Sequence, residues 1–222
     1  MASPIWQSRT TSAQAVAVSV AVTYPASLAN TDIVIVVLYK ENTNAVTAPD
    51  GTWTLKDSVS TTAVQHHLIY WKRCTGGETG TVTFSWTGSV YSGATAHRIT
   101  GCVTSGDPIE GANKNFSNTG VTVTPAVSLA STSTDSLLLW TGSNFAGGNT
   151  WTPPSTYTER SDVDIISDAT KDNTAGGATG SVTGTAAISG ASTAHLISLI
   201  STAGTPPAVP TLRVVRSNIR FR

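Results

Sequence analysis

Charge is scarce in this chain. Only 12% of its 222 residues are charged, and thirteen Lys and Arg balance thirteen Asp and Glu; an ordinary soluble domain carries about 25%. Without a cationic excess there is no electrostatic footprint for nucleic acid. Cysteine is nearly missing too. Cys74 and Cys102 cannot make a disulfide framework, which leaves either one bridge or two inert thiols and favours folding in a reducing cytoplasm. Long apolar runs are absent: Ile33 to Tyr39 is the longest, far below the roughly 18 residues of a membrane span. No Lys/Arg-rich stretch precedes the alternating Val16, Val18, Val20 and Val22, so no signal peptide is expected. The heptad pattern of a coiled coil is missing. Disorder is excluded as well, because 39% of the chain is apolar and its charges cancel.

What is present is hydroxyl and small side chains: 37 Thr, 26 Ser and 19 Gly. The period is two almost everywhere. In Thr81-Val82-Thr83-Phe84-Ser85-Trp86 the large apolar residues face one way and the hydroxyls the other, the mark of a strand buried on one face. Ile33 to Leu38 is a continuous apolar run, β-branched as far as Val37, suited to a central strand covered on both sides. Turn clusters such as Pro49-Asp50-Gly51 and Thr75-Gly76-Gly77 punctuate the strands. The pattern predicts an all-β fold, an antiparallel β-sandwich of jelly-roll or Ig-like kind, with no helix.

An internal repeat organises the chain. Pro25, Leu28 and Asp32 are echoed by Pro125, Leu129 and Asp135, and Trp53-Thr54 by Tyr157-Thr158. Lys72 matches Lys171, Thr79-Gly80-Thr81-Val82 matches Thr179-Gly180-Ser181-Val182, and Ala96-His97 matches Ala194-His195. We read a duplicated six-strand unit, with halves at about 13–103 and 118–203 in a body of 13–203. Two tandem domains or one sandwich sharing a core both fit; the single sandwich is favoured, since each half offers cover for the other's apolar face. Residues 1–12 lack alternation and are expected to form an arm. Residues 204–222 are read as a Pro-rich connector followed by a basic arm, where Arg213, Arg216, Arg220 and Arg222 gather beside Ile219 and Phe221. Such a segment suits strand addition to a partner's sheet edge, with arginines set against acidic groups.

Catalytic signals are weak. His66 and His67 are neighbours and point to opposite faces of a strand, so they cannot chelate one ion together. His97 and His195 are repeat equivalents, expected as satisfied histidines at a strand surface. Asp162, Asp164, Asp168 and Asp172 form the densest acidic cluster, but their spacing fits no calcium loop; the first two share a strand face, the other two are expected in loops, and all are expected to be solvated. No metal site and no cofactor follow. Trp53 and Trp151 lie beside Pro/Gly turns, where an indole either stacks on a sugar ring or plugs an end of the sandwich.

One resemblance adds to this reading. Asp32 with its apolar run, then Pro49-Asp50-Gly51-Thr52-Trp53-Thr54, Tyr70-Trp71-Lys72, Gly80-Thr81-Val82-Thr83-Phe84-Ser85-Trp86 and Ala96-His97-Arg98-Ile99-Thr100-Gly101 with Asp107-Pro108 follow an order that resembles β-sandwich structural proteins of tailed bacteriophages. The likeness covers roughly residues 14–200, more weakly in the second half, and Thr52 is an insertion relative to the pattern. It implies a non-enzymatic virion protein on the outside of a capsid or tail, made in the host cytoplasm. Its partners would be other virion proteins and its own copies, without nucleic acid or membrane insertion. Two further functions stay open: a carbohydrate-binding adhesion module using Trp53 and Trp151 on a host glycan, and a glycan-degrading enzyme with paired carboxylates.

Overall fold

The period-two segments become strands. A computed structural model describes residues 3–62 and 65–202. The first half holds β1 (Ile5–Thr11), β2 (Ala15–Thr23), β3 (Asn30–Lys40), β4 (Thr54–Ser60), β5 (His66–Thr75) and β6 (Thr81–Thr100). The second holds β7 (Ile109–Val123), β8 (Ser136–Asn144), β9 (Trp151–Thr152), β10 (Thr158–Val163), β11 (Ile166–Asn173) and β12 (Thr185–Leu199). All pairings between these strands are antiparallel, in two six-stranded sheets. The first sheet runs β1-β6-β3-β5-β4 with β2 also on β6; the second runs β10-β11-β8-β12-β7 with β9 on β12. The protein is a two-half β-sandwich. Among the described residues no helix is long and apolar enough to cross a membrane.

Two segments differ from expectation. Residues 5–11, expected as an arm, form β1 against the distal part of β6, with Ile5 opposite Thr100 and Thr11 opposite Thr95. The join between the halves is mostly strand as well, since β7 lies along β12 from Ile109 opposite Leu199 to Val123 opposite Thr185. In each half the longest strand needs a partner along its whole length, or its backbone donors and acceptors go unpaired. The first half supplies that partner in two pieces and the second in one.

The halves meet as a pseudo-twofold pair. β3 and its counterpart β8 lie in the middle of their sheets, β1 faces β10 and β4 faces β7. Ile33, Ile35, Val37 and Tyr39 from β3 meet Leu137 and Leu139 from β8 in a shared inner core with Ile69, Ile99, Ile197 and Leu199. The opposite faces of both central strands are also buried. Val34, Val36 and Leu38 pack with Phe84, Trp53 and Trp86; Leu138 and Trp140 pack with Trp151, Val182 and Leu196. The run at β3 is therefore apolar on both faces because both are covered. Each such fully buried aliphatic side chain contributes about 1.5–3 kcal/mol of transfer free energy. Cys74 and Cys102 are free thiols in different clusters, and burial pushes both up to about 12.

Candidate functional site

One edge of the inner core is polar. Thr95, His97 and Asp168 are all wholly buried there. The Trp6 indole N–H donates to His97 Nδ1 at 3.1 Å. Because an indole nitrogen only donates, Nδ1 is the accepting nitrogen and the ring's proton sits on Nε2. That N–H points at Asp168 Oδ2, 3.0 Å away, and the Thr95 hydroxyl donates to the same oxygen at 2.7 Å. A carboxylate holding a histidine N–H is the positioning half of a nucleophilic triad. Here the other ring nitrogen is capped by Trp6 and both groups are closed off from solvent. The arrangement cross-links the two sheets and presents no reacting atom.

The second half repeats the motif on the other side of the pseudo-axis. His67 Nδ1 lies 2.8 Å from Thr193 Oγ1, and its Nε2 is 3.2 Å from Thr141 Oγ1. His195 Nε2 donates to the His67 carbonyl at 3.3 Å, and the two imidazoles meet edge to face at 4.7 Å. His195 Nδ1 stands 3.4 Å from Asp57 Oδ2, within ion-pair range but off the line of a hydrogen bond. Lys114 Nζ donates to Asp57 Oδ1 at 2.6 Å. In both halves a Thr-Ala-His triplet, Thr95-Ala96-His97 and Thr193-Ala194-His195, sets its hydroxyl and imidazole on one residue of the facing sheet.

The register sharpens the repeat. Val34 lies between Lys72 and Arg98, whereas Leu138 lies between Lys171 and Ser198. Matching Lys72 to Lys171 therefore matches Thr95, not His97, to His195. The two histidines sit one side-chain repeat apart along otherwise equivalent strands. A two-residue slip keeps every side chain on its face, so the triplet stays inward in both halves. The histidines are thus interior residues, not the surface ones expected, because β5, β6 and β12 turn these faces towards the opposite sheet.

The acidic cluster is also corrected. Asp168 and Asp172 are strand residues of β11, opposite Thr141 and Leu137, and Asp168 is buried. Asp162 accepts from the Trp151 backbone N–H at 3.2 Å. Asp164 lies in the β10–β11 turn at positive φ, where it accepts from the backbone of Gly148 and Asn149 and from the Tyr91 hydroxyl. These carboxylates organise loops, and among the described residues no group of three His, Cys, Asp or Glu stands ready to hold a metal. Trp53 and Trp151 are each 6% exposed. Trp53 lies between Tyr24 and Phe84, and Trp151 packs on Trp140 while its indole donates to the Asp164 carbonyl. Neither ring has an open face for a sugar. Arg213, Arg216, Ile219, Arg220, Phe221 and Arg222 lie outside the described residues.

The buried histidines give the sandwich an acid limb. Burial pushes the His67 imidazole well below its usual range, with His195 and His66 adding to the effect. Burial, then Lys40 and His195, lowers His66 to about 4. Groups depressed in the fold take up their protons on unfolding, so stability is full above about 6.5 and is lost as the pH falls from there. Burial opposes ionisation of Asp57, but His195 and Lys114 outweigh it and hold the carboxyl down at about 2; its contribution is lost only below the ordinary carboxylate range. Urea unfolding between pH 7.5 and 4.5 should show a loss on the order of 2 kcal/mol, reduced in His67→Gln. A flat profile would contradict this assignment.

Compared with protein-family models, curated proteins and solved structures, the chain finds no match.

Proposed function

We propose that the chain is a non-enzymatic structural subunit of a bacteriophage particle, carried on the outside of the capsid or tail and held there by its basic C-terminal segment and by contacts with its own copies. The observation that carries this reading is the distribution of charge. In a chain with 12% charged residues, four of thirteen cations, Arg213, Arg216, Arg220 and Arg222, fall within the last ten residues, alternating at the end with Ile219 and Phe221 and following Pro206, Pro207 and Pro210. The segment would add as a strand to a neighbour's sheet edge, its apolar side chains filling pockets and its arginines pairing with acidic groups. The order of framework motifs along the first half points the same way.

Two features of the body support self-association. Net charge near zero with a hydroxyl-rich surface lowers the barrier to packing beside identical subunits. The exposed large apolar side chains include Val16 and Val18 on β2 and Phe116 and Val123 on β7, and both strands lie at sheet edges. A truncation lacking residues 211–222 should unfold at the same temperature as the full chain and yet fall to background in particle incorporation. Normal incorporation of the folded truncation would overturn the proposal.

A further inference from the structure

The two halves share one loop and differ in it at a charged position. Thr75-Gly76-Gly77-Glu78-Thr79-Gly80 follows β5, and Ala175-Gly176-Gly177-Ala178-Thr179-Gly180 follows β11. The backbones agree: Gly76, Gly77 and Gly80 have φ of 86°, 94° and 75°, and Gly176, Gly177 and Gly180 have 67°, 86° and 67°. These are left-handed values that glycine adopts without strain, so the same turn is drawn twice.

In the first half the loop carries its own anion. Glu78 folds back to accept from the backbone N–H groups of Thr75 and Gly76, at 2.8 and 3.1 Å, and from the Thr75 hydroxyl at 3.2 Å. Its carboxylate lies 3.8 Å from Lys72 Nζ, which stands 5.6 Å from the centre of the Tyr24 ring. In the second half the cation is retained: Lys171 Nζ stands 5.8 Å from the centre of the Tyr157 ring. The anion is not. Ala178 replaces Glu78, and Ala175 replaces the threonine that bonded it. Among the described residues no carboxylate lies within ion-pair distance of Lys171. A cavity of about 310 Å³ opens at this point, lined by Tyr157, Lys171, Asn173, Thr179, Ser181 and Thr183 among others.

We propose that this cavity binds a carboxylated sugar, whose carboxylate takes the place at Lys171 that Glu78 takes at Lys72. The ammonium over an aromatic ring supplies the charge. The rest of the lining sets the class of ligand. Asn173 and Thr179 of the lining already bond within the protein, and hydroxyls from Ser155, Thr156, Ser181 and Thr183 face a ring bearing its own hydroxyls. A carboxylate on an apolar body would leave them unpaired, and such unpaired polar groups are what a hydrogen-bonding site discriminates against. The proposal is independent of the assembly reading, since its readout is binding to the isolated protein and not incorporation into particles.

Calorimetric titration of the full chain with glucuronate, N-acetylneuraminate, glucose and acetate tests it. At least one of the two acidic sugars should bind in the millimolar range, about tenfold or more tighter than either glucose or acetate, a step of about 1.4 kcal/mol. Lys171→Met should weaken that binding about tenfold, and Ala178→Glu should abolish it by closing the site from within. Lys72→Met, in the half already closed by Glu78, should leave it unchanged. Thermal unfolding of each variant, with Ala178→Glu at least as stable as the parent, separates loss of the site from loss of the fold. The proposal is overturned if neither acidic sugar binds, if acetate binds as tightly as they do, or if folded Ala178→Glu still binds.

Discussion

Replacing Asp168 with alanine is expected to lower the unfolding free energy by about 3 kcal/mol. The substitution removes an oxygen that two wholly buried donors share, His97 Nε2–H and the Thr95 hydroxyl. Neither has water to turn to, and an orphaned buried donor costs far more than the net gain from making the bond. The effect reaches beyond one sheet, because Asp168 belongs to β11 and its partners to β6; the link is one of the polar contacts that set the two halves in register. For a domain of this length 3 kcal/mol corresponds to about 6–12 °C in melting temperature. A double-mutant cycle with His97→Ala measures the pair directly. Once His97 is gone, the Asp168 substitution should cost much less, and independent, additive losses would show that the two groups do not act together.

A comparable loss is expected at Trp140, the largest of the wholly buried side chains. Trp140→Ala should cost about 3–5 kcal/mol through the cavity it leaves. The repeat explains why so large a ring fits. Trp140 occupies on β8 the place of Val36 on β3, and Gly184 stands where the first half has Phe84. A Cβ built on Gly184 would come within 2.4 Å of the Trp140 ring, so each half fills the same space from a different strand. Trp140→Val alone should therefore be strongly destabilising, and Gly184→Phe alone should clash with the indole. The double substitution Trp140→Val with Gly184→Phe reproduces the first half's packing at this pair and should recover a clear part of the loss in chemical denaturation. Strict additivity of the two single effects would refute the exchange.

Much of this architecture was legible along the chain. Alternation at β2 and at Thr81–Trp86, the unbroken run at β3 and the paired turns at Gly76 and Gly176 announced strands, faces and a duplication. β1 was not, because Ile5 and Trp6 break the alternation and a bulge between Trp6 and Ser8 shifts its register. Nor was β7, whose exposed edge position leaves polar residues such as Asn113, Lys114 and Asn115 in a strand. The Thr-Ala-His triplets were visible as repeated letters, but their meaning was not. Letter matching equates His97 with His195, while the hydrogen-bonded ladders displace one from the other by two residues.

That displacement marks the boundary between the two kinds of information. Period, turn chemistry and internal repetition are properties of neighbouring residues, so the chain carries them openly: they made this protein an all-β molecule of two related halves, nearly neutral, with its surplus arginines at one end. Which face of each half would meet the other depends on contacts such as those from Thr95 and His97 to Asp168, or from Asp57 to His195, between residues far apart along the chain. Local pattern is silent on such partners. Only when the two sheets close face to face do the scattered pairs His97–Asp168 and His195–Asp57 come together, and only the folding of the second half leaves Lys171, without a counterpart of Glu78, facing an open cavity.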